Sequence, residues 1–199
     1  MTQIITPDRF SSDKAATCCF TGHRAKTLPL GGDPGSRPMK DLKSWLRLTV
    51  QEAFDDGYRT FISGMAGGID LLGAEEILAL RKSAGAGDVS LVCAVPYPMQ
   101  IEELKTDDQK ALYVRILSQA DGAVVVSRAF HGGCYRERNL FMVEHSSRLI
   151  GVVRSLKPTS GTGMTIKMAR DRSLETRIFD LDSEPYRSLY FKPEKDPTE

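Results

Sequence analysis

Nowhere in the 199 residues does an apolar run approach the ~20 that a transmembrane helix needs. Residues 1–14 are polar and carry both charge signs, so they lack the apolar stretch of a signal peptide. An excess of one charge is also missing. Lys and Arg total 27 against 26 Asp and Glu, and the net charge of +1 sets up no molecule-wide field toward nucleic acid or membrane. Any polyanion site must be a local basic patch. The four cysteines (Cys18, Cys19, Cys93 and Cys134) show neither a C-x-x-C pair nor a disulfide-framework spacing. Cys18, Cys19 and Cys93 lie within apolar runs, where a free thiol behaves as a small hydrophobe. That usage predicts a reducing compartment, the cytoplasm. The three histidines and four cysteines contain no C-x2–4-C pair and no complete zinc-ligand framework, so no metal site is expected, and the sequence calls for no cofactor. The G-x-G-x-x-G, Walker and G-x-S-x-G patterns are absent as well.

What is present is an alternation of short apolar runs with stretches of helical period. Strands are expected at 17–21, 60–64, 90–95, 122–127, 148–153 and 177–181, with helices near 39–56, from the end of the 65–70 turn to about 83, and near 107–119, 135–145 and 161–170. In the first helix Leu42, Trp45, Leu46, Val50, Ala53 and Phe54 recur every three or four residues. Strands alternating with helices predict an α/β fold in three layers, a mostly parallel sheet of about six strands with helices on both faces. The length fits a single domain over 1–199, with a core of about 15–185 and flexible segments at 1–14 and 192–199. If the strand order is the common 3-2-1-4-5-6, the loops after Thr21 and Ser127 face each other over one crevice at the carboxyl ends of the strands.

Chemistry concentrates in that crevice. The segment Ser63-Gly64-Met65-Ala66-Gly67-Gly68-Ile69-Asp70 joins a strand to a helix. Its glycines allow close backbone approach, and the helix start offers unpaired N–H groups to a phosphate. The bland alternative is a tight turn capped near Asp70. Gly22-His23-Arg24 leaves the first strand. Arg24 is a candidate phosphate ligand and His23 a hydrogen-bond donor or proton shuttle; alternatively His23 caps a turn and Arg24 makes a surface ion pair. Arg138 and Asn139 open another helix, either to bind phosphate and base or to brace the turn through an Arg–carboxylate pair with Glu75 or Asp70. Gly161-Thr162-Gly163-Met164-Thr165 is a third helix start, a phosphate cradle or a routine N-cap. His131-Gly132-Gly133 is expected to line the crevice, and Cys134 to be an inert thiol.

Three of these segments, in order, resemble a known superfamily. Ser63–Asp70 is similar to the S-G-x-A-x-G-x-D signature shared by DNA-processing protein A and the lonely-guy nucleotide hydrolases. Tyr135–Met142 resembles an aromatic-x-x-Arg-Asn element of the DNA-processing proteins, and Ser160–Thr165 their Ser-Gly-x-x-x-Thr helix start. The opening Cys18-Cys19-Phe20-Thr21-Gly22-His23-Arg24 is similar to the YpsA/YoqJ-like family of small bacterial and prophage proteins within that superfamily. The resemblance, over about 17–181, implies a Rossmann-like fold and a nucleotide-type ligand. The implied ligand-binding set is Gly22, His23, Arg24, Ser63, Gly64, Met65, Gly67, Gly68, Asp70, Ser127, Tyr135, Arg138, Asn139, Gly161, Thr162, Gly163 and Thr165.

Three functions follow from this reading. The first is a binding protein for a nucleotide or ADP-ribose-like ligand, acting as a sensor that signals to a protein partner. The second is a nucleoside-monophosphate N-glycosidase like the lonely-guy enzymes, with Arg138, Glu75 and His23 as catalytic candidates. The P-G-G-x-G-T-x-x-E segment of those enzymes is replaced here by Ser127–Cys134, with Glu137 as another available acid. The third is a single-stranded DNA binder, which the balanced charge and the lack of a basic stripe interleaved with aromatics weigh against. The lonely-guy resemblance also implies a homodimer.

Overall fold

The computed structural model describes residues 2–83, 87–155 and 157–190. Seven strands form one sheet: β1 (Gln3–Ile5), β2 (Thr17–Gly22), β3 (Thr60–Ser63), β4 (Ser90–Val95), β5 (Gly122–Val125), β6 (Arg148–Val153) and β7 (Glu175–Asp180). Their order is β1-β5-β4-β3-β2-β6-β7, and every pairing is parallel. The helices are α1 (Arg37–Asp55), α2 (Ile69–Ser83), α3 (Asp107–Gln119), α4 (Cys134–Glu144), α5 (Gly161–Asp171) and the short α6 (Tyr186–Tyr190).

The α/β class is as expected, with seven strands in place of about six. The extra one lies in the segment expected to be flexible: Gln3–Ile5 pairs with Gly122–Val124 at the sheet edge. Three residues with two apolar side chains give no periodicity to read, and the pairing is made by backbone. Residues 192–199 lie outside the described residues.

Strand order differs from the expectation in one step. Counted from Thr17, it runs 4-3-2-1-5-6, so the chain marches outward through β3, β4 and β5 before it reverses. Right-handed crossovers in one direction put their helices on one face. Accordingly α1, α2 and α3 pack through Leu42, Leu46, Ile77 and Ile116 against Cys18, Phe20, Phe61 and Leu91. After the reversal, α4 and α5 pack through Phe141, Met142, Ile166 and Ala169 on the opposite face, against Cys19, Ile62, Val92 and Leu149. The adjacent Cys18 and Cys19 thus serve different cores, as the two-residue period of a strand requires. The topological switch falls between β2 and β6, not between β2 and β5. Ligand sites of such sheets lie at the carboxyl ends beside the switch.

Candidate functional site

At the carboxyl end of β2 the chain turns through His23 and Arg24. His23 is 6% exposed, and its Nε2 accepts the backbone N–H of Arg154, at the end of β6, at 2.9 Å. The imidazole therefore bridges the switch point. An accepting Nε2 leaves the proton on Nδ1. Burial, then the Lys157 and Arg154 charges, hold its pKa below the usual value. The turn-capping alternative is closer to this geometry than a proton shuttle.

The Ser63–Asp70 turn is built from the inside. Ser63 is fully buried; its hydroxyl donates to the Asp70 carbonyl at 2.8 Å and accepts the Met65 N–H at 3.2 Å. Met65, at φ 58°, is equally buried. Arg138 reaches from α4 to donate to the Gly64 carbonyl and pairs with Asp70 Oδ2 at 3.3 Å. Gln100 Nε2 donates to the same carbonyl at 3.1 Å. A Cβ on Gly64 would lie 1.6 Å from Arg138 Nη1, so glycine here makes room for the guanidinium. Gly68, at φ +106°, lets the His23 carbonyl come where a Cβ would meet it at 2.4 Å. Burial pushes the Asp70 carboxyl up against the opposing pull of Arg138, and burial also lowers the Arg138 guanidinium. The buried brace between Arg138 and Asp70 is therefore the alternative that the structure contains; Nε of Arg138 is buried and finds no hydrogen-bond partner among the described residues.

Above this brace lies a cavity of about 270 Å³, walled by Gly22 at the end of β2, His23 and Arg24 in the turn after it, Asp70 from α2, Tyr135, Arg138 and Asn139 from α4, and Gly161 and Thr162 from α5. Nine residues of the expected set thus share one crevice. Lys26 adds a second cation to the wall and, like Phe20, Thr21, Thr27 and Ala66 there, was not among the expected residues; its only sequence signal is its position two residues after Arg24. Arg24 is about half exposed, pairs with Glu103 at 3.3 Å and lies over the Tyr135 ring at 5.3 Å. The Tyr135 hydroxyl, buried beside Glu103 and Arg24, makes no hydrogen bond of ordinary length among the described residues. Arg24, Lys26, Ala66 and Tyr135 also border a second cavity of about 380 Å³, which takes in Gly67, Gln100 and Leu104.

Other expected residues lie apart. Thr165, fully buried, donates to the Gly161 carbonyl and accepts a hydrogen bond from Asn139 of the crevice wall at 2.8 Å, so this pair fastens α4 to α5. The Gly163 N–H donates to the Ser160 cap at 3.1 Å. Ser127 follows β5, three strands from β2, and with His131 and Glu137 forms a cluster outside the crevice wall. Because His131 Nδ1 accepts the Gly133 N–H, Nε2 is a donor to Ser127 and Glu137 and no general base. Glu75 is held between Lys43 at 2.8 Å and Arg115 at 2.7 Å, on the far side of α2. All four cysteines are buried and unpaired. Among the described residues no group of His, Cys, Asp and Glu is placed to hold a metal, and no helix is long and apolar enough to cross a membrane.

A parallel α/β sheet whose strand order reverses once, with helices on both faces, defines a Rossmann-like fold. Residues 18–182 match the model of the YspA SLOG family, and the chain belongs to that family. Among proteins of curated function no sequence matches significantly. Two similar solved structures are DNA processing protein A from Helicobacter pylori, described for its single-stranded DNA binding mode, and from Streptococcus pneumoniae. The first has 17% identity and a TM-score of 0.56, over 83% of this chain and 65% of that one. The second has 12% identity and a TM-score of 0.51, over 83% and 50%. This chain therefore spans less than two thirds of either, and the likeness is one of fold.

Proposed function

We propose that the chain binds the phosphate of a nucleotide or nucleotide-derived ligand, of the ADP-ribose kind, in the crevice beside β2 and β6. The observation that carries this reading is the joint presence, around the 270 Å³ cavity, of Arg24, Lys26 and the first residues of α5. A guanidinium, an ammonium and a helix N-terminus each favour an anion, and here they share one wall. Binding is favoured over N-glycoside hydrolysis by the state of the acids. Asp70 supplies the cavity's carboxylate and is engaged by Arg138 and the Ala66 N–H, while Glu75 stands outside.

Calorimetry and thermal unfolding with AMP, ADP-ribose and inorganic phosphate test the reading. A ligand at a hundred times its Kd adds about 2.7 kcal/mol of stability. The wild type should gain Tm, and Arg24→Ala with Lys26→Ala should lose that gain. An unchanged Tm with every nucleotide at millimolar levels refutes it. A second reading places a phosphodiester of single-stranded DNA in the same crevice. It is favoured by the similarity to the Helicobacter pylori protein, described as binding single-stranded DNA.

A further inference from the structure

A row of aromatic rings leads away from the crevice. Tyr135, under Arg24, meets Tyr97 edge-on with centroids 6.3 Å apart, and Tyr97 meets Phe130 edge-on at 5.3 Å. The three rings come from α4, from the loop after β4 and from the loop after β5. Tyr135 and Tyr97 are largely covered, whereas Phe130 is 62% exposed.

A single exposed phenylalanine is ordinary on a protein surface. Phe130 differs in being held in place. Tyr97 supports its ring, and its loop is pinned where Ser127 N–H donates to the Pro96 carbonyl at 2.9 Å and Cys134 N–H to the His131 carbonyl at 3.1 Å. The charges around it are also sorted. Glu103 is taken by Arg24 and by Tyr97, whose hydroxyl donates to it at 2.5 Å, and Glu137 by Ser127 and His131. Arg128, two residues before Phe130, and Arg136, next to Tyr135, are exposed and make no side-chain ion pair among the described residues. An oriented, exposed aromatic face with two unengaged guanidiniums on the same segment, linked through Tyr97 and Tyr135 to the cationic crevice, fits a stacked base with neighbouring phosphates.

We infer that Phe130, with Arg128 and Arg136, is a base-stacking platform that extends the phosphate crevice into a track for a single nucleic-acid strand. The inference rests on the crevice accepting a phosphate and narrows its ligand from a mononucleotide to an oligonucleotide. Arg128, Phe130, Tyr135 and Arg136 follow one another in a single short segment, and folding adds Tyr97 from a separate loop to support the Phe130 ring.

The test compares a fluorescently labelled oligothymidylate, read by anisotropy, with thymidine monophosphate, read by calorimetry. Phe130→Ala should weaken the oligonucleotide roughly 5- to 100-fold, the effect of losing one base–aromatic stack. Phe130→Trp should restore it, and neither change should alter the mononucleotide affinity. Arg128→Ala and Arg136→Ala should each lower the slope of log K against log salt by about 0.7. If the mononucleotide binds but the oligonucleotide gains nothing from Phe130, the platform is refuted and the crevice reading survives. If neither ligand binds, both fall. If Phe130→Ala changes only the sedimentation behaviour, the patch is a protein interface and the proposal is overturned.

Discussion

Replacing Gly64 by alanine puts a methyl group where the Arg138 guanidinium lies, 1.6 Å from Nη1 and 2.4 Å from Cζ. Backbone strain plays no part, because Gly64 is not among the residues with positive φ. Arg138 is only 4% exposed, so the side chain has no room to swing aside without leaving Asp70 and the Gly64 carbonyl. Breaking a buried ion pair costs about 3–5 kcal/mol. That is a large share of the roughly 5–15 kcal/mol that holds a domain folded. In an Arg138→Ala background the same methyl enters vacated space. Asp70 Oδ2, 2.7 Å from the new carbon, must shift, but alanine also restricts the unfolded chain, which offsets about 0.4–1 kcal/mol. The second change should then cost little. Urea unfolding of the four proteins in this cycle should give a coupling of about 2–3 kcal/mol. Additivity to within about 0.5 kcal/mol would refute the claim that glycine is there for the arginine.

Two further outcomes follow from buried titratable groups. His23 has its folded pKa below 6.5, so between that pKa and 6.5 the unfolded state binds more protons and stability rises with pH. Its contribution is complete above 6.5 and is lost on acidification, as protonation of Nε2 expels the Arg154 N–H. Wild-type Tm should fall more steeply from pH 7.5 to 5 than that of His23→Gln, which keeps an acceptor without titrating; equal slopes would contradict the bridge. Burial pushes the Cys19 and Cys93 thiols up to about 12 and the Cys18 thiol well up too, and Cys134 is 0% exposed. An aromatic disulfide reagent at pH 8 should therefore find no reactive thiol in the native protein and all four after denaturation, and one fast native thiol would disprove this.

The strands β4 and β6 and the helix α3 were legible to the residue, because each is an apolar run or a periodic stretch bounded by clear stops. Strand order was not. Whether the fourth crossover helix follows a reversal after β4 or after β5 depends on which sheet face α3 covers, and α3 buries only Tyr113 and Ile116 deeply, a weak signal either way. That one step moved Ser127 away from the crevice. Arg138 and Asn139 kept their place beside it, because α4 crosses back over the sheet. The partner of Arg138 was open between Glu75 and Asp70. Five positions apart on α2 they lie on different sides of the helix, and only Asp70, in its first turn, meets α4. Lys26 and the Phe130 row were invisible because their meaning is set by neighbours far away in the chain.

The glycine-rich signature itself acquires a different physical meaning. Its conspicuous glycines suggest a backbone bared for a phosphate, yet Gly64 is occupied by an arginine from α4 and Gly68 by the carbonyl of His23 from the β2 loop. The turn works as a hub: it fixes α4 and the β2 loop at set distances on either side of the cavity, through an ion pair that burial makes costly to break. In the proposed reading the anion is met by side chains that the hub positions, Arg24 and Lys26, and by α5. Substitution within the hub should then disturb folding before it disturbs specificity, while substitution at the rim should do the reverse. The same scaffold can accordingly carry different ligands by changing residues that lie outside the signature.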